Sequence, residues 1–205
     1  MKHIAAVVEQ ESVEYDKYMK KLVFTLSLCV LCTLTAGAQN SVENIRKTYQ
    51  EVHQWIAQMT PNKDGESAMP PEYYDLRVEQ NLPGTGPHHE SIRMFYDDHY
   101  LRFTTAKYNF AAREFYEEYL YDEKGRVMFI YALTPDVELG EVQPYELRMW
   151  FDGSRLLRFM AKKAGKEEFS GATIPEKFRS ETDRCRQRAK RYLSMFKGID
   201  ENTNL

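Results

Sequence analysis

Val42, Ile45, Tyr49, Val52, Ile56 and Met59 recur at steps of three and four along the chain. One apolar stripe at this period predicts an amphipathic helix. Ser41 is placed to cap its start. Thr60-Pro61 ends it, because the residue before a proline avoids the helical region. Residues 62–72 then read as a polar loop containing glycine and proline.

From Tyr73 the period becomes two. Tyr74, Leu76 and Val78 alternate with Asp75, Arg77 and Glu79, which predicts a half-buried strand. The run L-P-G-T-G-P-H-H at 82–89 reads as a turn-rich connection. Strand-like runs follow at 91–96, 100–107, 113–122, 126–133, 145–152 and 155–161. The gaps are mostly short, and parallel pairing would need crossovers of a dozen or more residues. An antiparallel meander of seven strands is the economical reading. Three of its hairpins share a pattern: an aromatic, an aspartate, a tight polar turn, then a return strand. The pairs are Tyr96-Asp97, Tyr121-Asp122 and Phe151-Asp152. Aspartate suits turn entry, since its side chain accepts bonds from nearby backbone N–H groups.

A second helix closes the chain. Phe178, Thr182, Cys185, Ala189, Tyr192 and Phe196 form its stripe. Thr173 to Glu176 fits a capping box with proline in the first turn, and Gly198 is a stop signal. The expected fold class is α+β: an N-terminal helix, a seven-stranded antiparallel β-meander and a C-terminal amphipathic helix.

Ahead of this domain lies a different pattern. Met19-Lys20-Lys21 precedes an uncharged apolar run of 14 residues at 22–35, and Ala36-Gly37-Ala38 follows. A positive start, a short apolar stretch and small residues at −3 and −1 define a secretory signal peptide. The run is shorter than the roughly 20 residues that span a bilayer. The expectation is a signal peptide at 19–38, cleaved after Ala38, and a periplasmic or secreted domain at 39–205. Residues 1–18 carry four acidic groups against Lys2 and Lys17. That is wrong for the head of a signal, so they read as a start-site extension. Cys29 and Cys32 lie inside the apolar run, each preceded by leucine, which fits neither lipidation nor a redox C-x-x-C.

Charge adds a second asymmetry. Residues 39–154 hold 11 basic and 20 acidic groups, whereas residues 155–199 hold 13 basic and 5 acidic. The favoured reading is that the two halves pack together and neutralise each other. The alternative is a basic patch for an anionic partner. Cys185 alone survives processing, so no internal disulfide forms. Its place on the helix stripe makes it a small, inert core residue.

Candidate chemistry is sparse. His88-His89 and Asp97-Asp98-His99 look like metal ligands, but the strand between them separates the clusters by roughly 23 Å. No metal site and no cofactor are expected. Glu117 and Glu118 lie in R-E-F-Y-E-E-Y-L-Y-D, so either strand phase sets a carboxylate among apolar side chains. The ordinary reading is an ion pair with a neighbouring-strand arginine such as Arg102 or Arg148. The functional reading makes His88, His89, Glu117, Glu118, Tyr119 and Tyr131 the ligand-binding candidates. The chain has no G-x-S-x-G, H-E-x-x-H or EF-hand pattern, and 83–87 lacks the P-loop lysine.

The segments L-P-G-T-G-P-H-H (82–89) and Y-N-F-A-A-R-E-F-Y-E-E-Y-L-Y-D (108–122) resemble a group of small exported proteins of unknown function from Gram-negative bacteria. The resemblance implies export and one compact domain, and it carries over no catalytic residues. The leading expectation is a non-catalytic exported binding domain for a glycan, peptide or protein, without nucleic acid. One alternative is a hydrolase pairing Glu117 or Glu118 with His88 or His89. Another is an envelope-associated protein that touches anionic lipid through the basic C-terminal helix and does not span the membrane.

Overall fold

The computed structural model describes residues 41–58, 73–84, 86–110, 113–134 and 144–203. The signal peptide, the extension before it and the loop at 62–72 lie outside them. Within Val42–Leu205, one compact unit, the class is α+β as expected. Helix α1 covers 41–58. The strands are β1 (Tyr73–Leu82), β2 (Gly86–Asp97), β3 (Tyr100–Phe110), β4 (Arg113–Tyr121), β5 (Val127–Thr134), β6 (Tyr145–Asp152), β7 (Arg155–Lys163) and β8 (Lys166–Gly171). A 3₁₀ turn at Glu176–Phe178 leads into α2 (Arg179–Thr203). All strands join one antiparallel sheet in chain order.

Three expectations need correction. The strand count is eight rather than seven, because Lys166–Gly171 adds an edge strand on β7. β2 starts at Gly86, so Pro87 to His89 pair with β1 instead of forming a connection. Only the tight turn before Gly86 was a genuine break. Finally, Thr173 does not cap a helix. Pro175 occupies the cap of the 3₁₀ turn without a side-chain bond, and α2 runs past Gly198 to Thr203.

The three aromatic-aspartate hairpins share a structural device. The register shifts between Phe95 and Tyr96, Leu120 and Tyr121, and Trp150 and Phe151. In each case one extra residue on the return strand (Arg102, Met128 or Leu157) forms a bulge. On the strand opposite each bulge, adjacent large residues alternate between the two faces in the ordinary way and serve different cores. Tyr96, Tyr121 and Phe151 join the core under α2, while Phe95, Leu120 and Trp150 join the core under α1. Asp122 acts as expected at its turn, accepting from the backbone N–H groups of Lys124 and Arg126 at 3.0 and 2.8 Å.

The sheet is therefore covered on both faces. Phe178, Cys185, Ala189, Tyr192 and Phe196 of the C-terminal segment pack on Met94, Ala106, Tyr119, Ile130, Leu147 and Phe159. Val42, Ile45 and Val52 of α1 pack on the opposite face. Burying one such aliphatic side chain stabilises by roughly 1.5–3 kcal/mol. No helix among the described residues is long and apolar enough to cross a membrane.

Candidate functional site

Neighbouring residues on a strand point to opposite faces, and Glu117 and Glu118 obey this. Glu117 lies under α2 and is 1 % exposed, whereas Glu118 lies on the α1 side and is 7 % exposed. Neither is held by Arg102 or Arg148. Tyrosines hold both. Glu117 accepts from Tyr108 at 2.7 Å and from Tyr119. Glu118 accepts from Tyr116 at 2.7 Å and from Tyr49 of α1. Burial, reinforced by the bound carboxylates, pushes the pKa values of Tyr49, Tyr108, Tyr116 and Tyr119 well above the ordinary tyrosine range. The phenols therefore stay protonated and keep donating.

The two carboxylates face different surroundings. Glu117 belongs to a closed cluster in which the Cys185 thiol lies 3.8 Å from Glu117 Oε1 and 4.0 Å from Glu181 Oε1. Glu117, Glu181 and Cys185 form the one group of three metal-ligand types gathered within 4.8 Å among the described residues. Arg184 pairs with Glu181, and two phenols occupy Glu117. The cluster reads as a hydrogen-bonded part of the core. Burial and the adjacent carboxylates push the Cys185 thiol pKa well up. With Cys29 and Cys32 replaced by serine, the native protein should expose no titratable thiol to a disulfide reagent at pH 8. Denaturant should release one equivalent. Rapid native labelling would show that the cluster opens.

Glu118, in contrast, borders a cleft of about 560 Å³ between α1 and strands β4–β6. Register places Tyr131 directly opposite Glu118. Arg148 follows on β6 opposite Tyr131, with its guanidinium carbon 5.7 Å from the Tyr131 ring centre. Arg148 also pairs with Glu146, and its buried Nε has no hydrogen-bond partner among the described residues. Arg46 of α1 lies 5.4 Å over Trp150 at the far wall. His53 stands behind Glu118, with Nε2 3.9 Å from Glu118 Oε2 and no hydrogen-bond partner among the described residues.

The six candidate residues thus fall in three places. Glu118 and Tyr131 share the α1 cleft. Glu117 and Tyr119 are sealed under α2. His88 and His89 sit at the β1–β2 end of the sheet. His88 Nδ1 is 2.6 Å from the Asn109 carbonyl oxygen. His89 donates its backbone N–H to Asn109 Oδ1 and borders a separate concavity of about 420 Å³. Neither histidine contacts Glu117 or Glu118, so the arrangement offers no histidine–carboxylate pair of the kind a hydrolase would need from these residues.

The sequence reading missed Tyr49, His53, Tyr116 and Trp150 as site residues. One signal was available: Tyr49 and His53 are four apart, so they share one helix face. The cleft can hold a ligand by ring faces and guanidinium donors. Its carboxylate is already bonded twice, and its lining contains no serine, threonine or cysteine.

No protein-family model, curated protein or solved structure matches the chain.

Proposed function

We propose that this is an exported, non-catalytic binding domain that holds a glycan in the cleft between α1 and β4–β6. The observation that carries the reading is the row formed by Glu118, Tyr131 and Arg148 across three neighbouring strands. Tyr116 and Tyr131 are half-buried rings with an apolar body and a polar tip. Such rings suit the C–H faces of a sugar. Arg148 brings a planar donor fork with a buried N–H still to satisfy. The cleft volume falls within the roughly 300–1,000 Å³ usual for ligand sites. The signal-peptide pattern at 19–38 supplies the exported address.

Among the described residues, helices pack on both faces of the sheet, which favours a small ligand over a broad protein partner. The anionic-lipid reading loses three of the seven cations of α2. Arg188 and Arg191 of α2 turn toward Glu90, and Arg184 pairs with Glu181.

Titrating the full chain with soluble oligosaccharides, followed by amide chemical shifts, tests the reading. Saturable shifts should centre on β4–β6 and α1. Tyr131→Ser and Arg148→Met should each weaken binding about tenfold, the scale of one lost stacking or charged hydrogen-bond contact. Both variants should keep the wild-type circular dichroism. Binding that both variants leave intact would remove the cleft as the site. Peptides that bind there while every saccharide fails would replace the ligand class.

A further inference from the structure

The cations of α2 divide into two sets. Arg188 and Arg191 point at the buried Glu90, with Arg191 Nη2 2.9 Å from Glu90 Oε2. Arg186 and Lys190, one turn apart, have no carboxylate partner among the described residues. They stand at the rim of a cleft of about 610 Å³, larger than the one beside Glu118. This cleft lies between the α2 surface and the turns of the β4–β5 and β6–β7 hairpins. Its walls include Val127, Phe151 and Leu193. The Arg186 guanidinium carbon lies 5.6 Å from the Phe151 ring centre.

The acids near this rim already have partners. Asp122 accepts from Arg126 Nε at 2.7 Å, and Asp152 from Arg155 Nη2 at 2.8 Å. The free positive charge of the rim is therefore that of Arg186 and Lys190. The wall is also tightly fitted. Gly125 has φ +73°, and a Cβ there would meet Leu193 Cδ2 at 3.1 Å, so any other residue would strain this turn and press on Leu193 of α2.

We propose that this cleft is a second ligand site, which takes a single-chain anionic amphiphile. Its carboxylate or phosphate head sits at Arg186 and Lys190, and its chain runs along Val127, Phe151 and Leu193. Charge complementarity selects the head, and the apolar walls select the chain. The site is independent of the glycan cleft, which lies on the other face of the sheet. A recess with two rim cations suits a monomeric amphiphile better than a flat lipid surface.

Dodecyl phosphate, held below its micelle concentration, is the probe for calorimetric and NMR titration of the full chain. Saturable one-to-one binding is expected, with shifts centred on Gly125, Gly153 and Leu193. R186Q/K190Q should weaken binding about tenfold or more, from the loss of two cations near the head. R179Q/K197Q removes the same charge elsewhere on the helix and should leave affinity within about twofold. Equal weakening by both pairs would overturn the site in favour of diffuse charge attraction. Equal affinity for dodecyl maltoside would overturn the role of the head, and equal affinity for inorganic phosphate the role of the chain. Binding to anionic vesicles but not to monomeric dodecyl phosphate would overturn the recess in favour of a membrane surface. All four changed residues are exposed, so circular dichroism should remain that of the wild type.

Discussion

Raising the pH from 10 to about 11.5 should unfold the protein in one cooperative step, with tyrosinate appearing as the sheet disappears. Tyr108, Tyr119, Tyr121 and Tyr192 are between 0 and 3 % exposed. Burial first, and nearby carboxylates second for all but Tyr121, push their pKa values far above the ordinary tyrosine range. Their hydroxyls donate to Glu117, the Ala189 carbonyl and Glu90. The sign follows from proton counting. Above about pH 10 the unfolded chain has released these protons while the folded chain keeps them. The unfolded state therefore binds fewer protons, and stability falls as pH rises. The stabilisation is complete below pH 10 and is lost above it. Each such group removes about 1.4 kcal/mol per pH unit. Four together remove about 5–6 kcal/mol per pH unit, comparable to the roughly 5–15 kcal/mol that holds a domain folded. Cys185 acts in the same direction from about pH 8.5. Absorbance at 295 nm and far-ultraviolet circular dichroism, recorded against pH, should change together. Gradual ionisation near pH 10 with the sheet intact would mean that these phenols reach water in the native state.

The periodicity that reveals β1–β7 in the sequence fails at β8 for a physical reason. Lys166–Gly171 is an exposed edge strand with Phe169 as its one large apolar side chain, so it has no apolar face to write into its pattern. The segment 86–89 fails differently. Glycines and prolines on both sides of Thr85 signal a turn, but pairing resumes at Gly86 and keeps both histidines in β2. The Glu117–Glu118 pair was legible as unusual because neither strand phase excludes a carboxylate from burial. The reason both are buried was not legible: a helix covers each face, and each carboxylate receives two phenols. Two of those phenols, on Tyr116 and Tyr119, lie two residues from their carboxylates and could be read from β-strand spacing. Tyr49 meets Glu118 across 69 positions, a contact that no local pattern encodes. The charge asymmetry was the most informative non-local signal, since it anticipates the seating of a basic helix on an acidic sheet.

That seating predicts the second large effect. Replacing Arg188 and Arg191 together by methionine should destabilise the protein by about 3 kcal/mol, and adding Glu90→Gln should recover most of it. Glu90 is 4 % exposed and accepts from Tyr192 at 3.0 Å as well as from both arginines. Without the arginines a buried carboxylate loses its counter-charges, a change that typically costs about 3–5 kcal/mol. The lower end applies here because Arg191 is partly exposed and water softens its loss. Arg188 also lies 3.7 Å over the Tyr108 ring, and methionine retains part of that packing. Glutamine at position 90 removes the uncompensated charge yet still accepts from Tyr192. Urea unfolding at pH 7, with unchanged denaturant slopes, gives the comparison. A double-mutant cycle between position 90 and the arginine pair isolates the coupling. R186Q/K190Q, on the outer flank of the same helix, should shift stability by no more than about 0.5 kcal/mol. If Glu90→Gln leaves the arginine-less protein as weak as before, the destabilisation arises from lost packing. The acidic sheet and the basic helix would then be neighbours without being electrostatic partners.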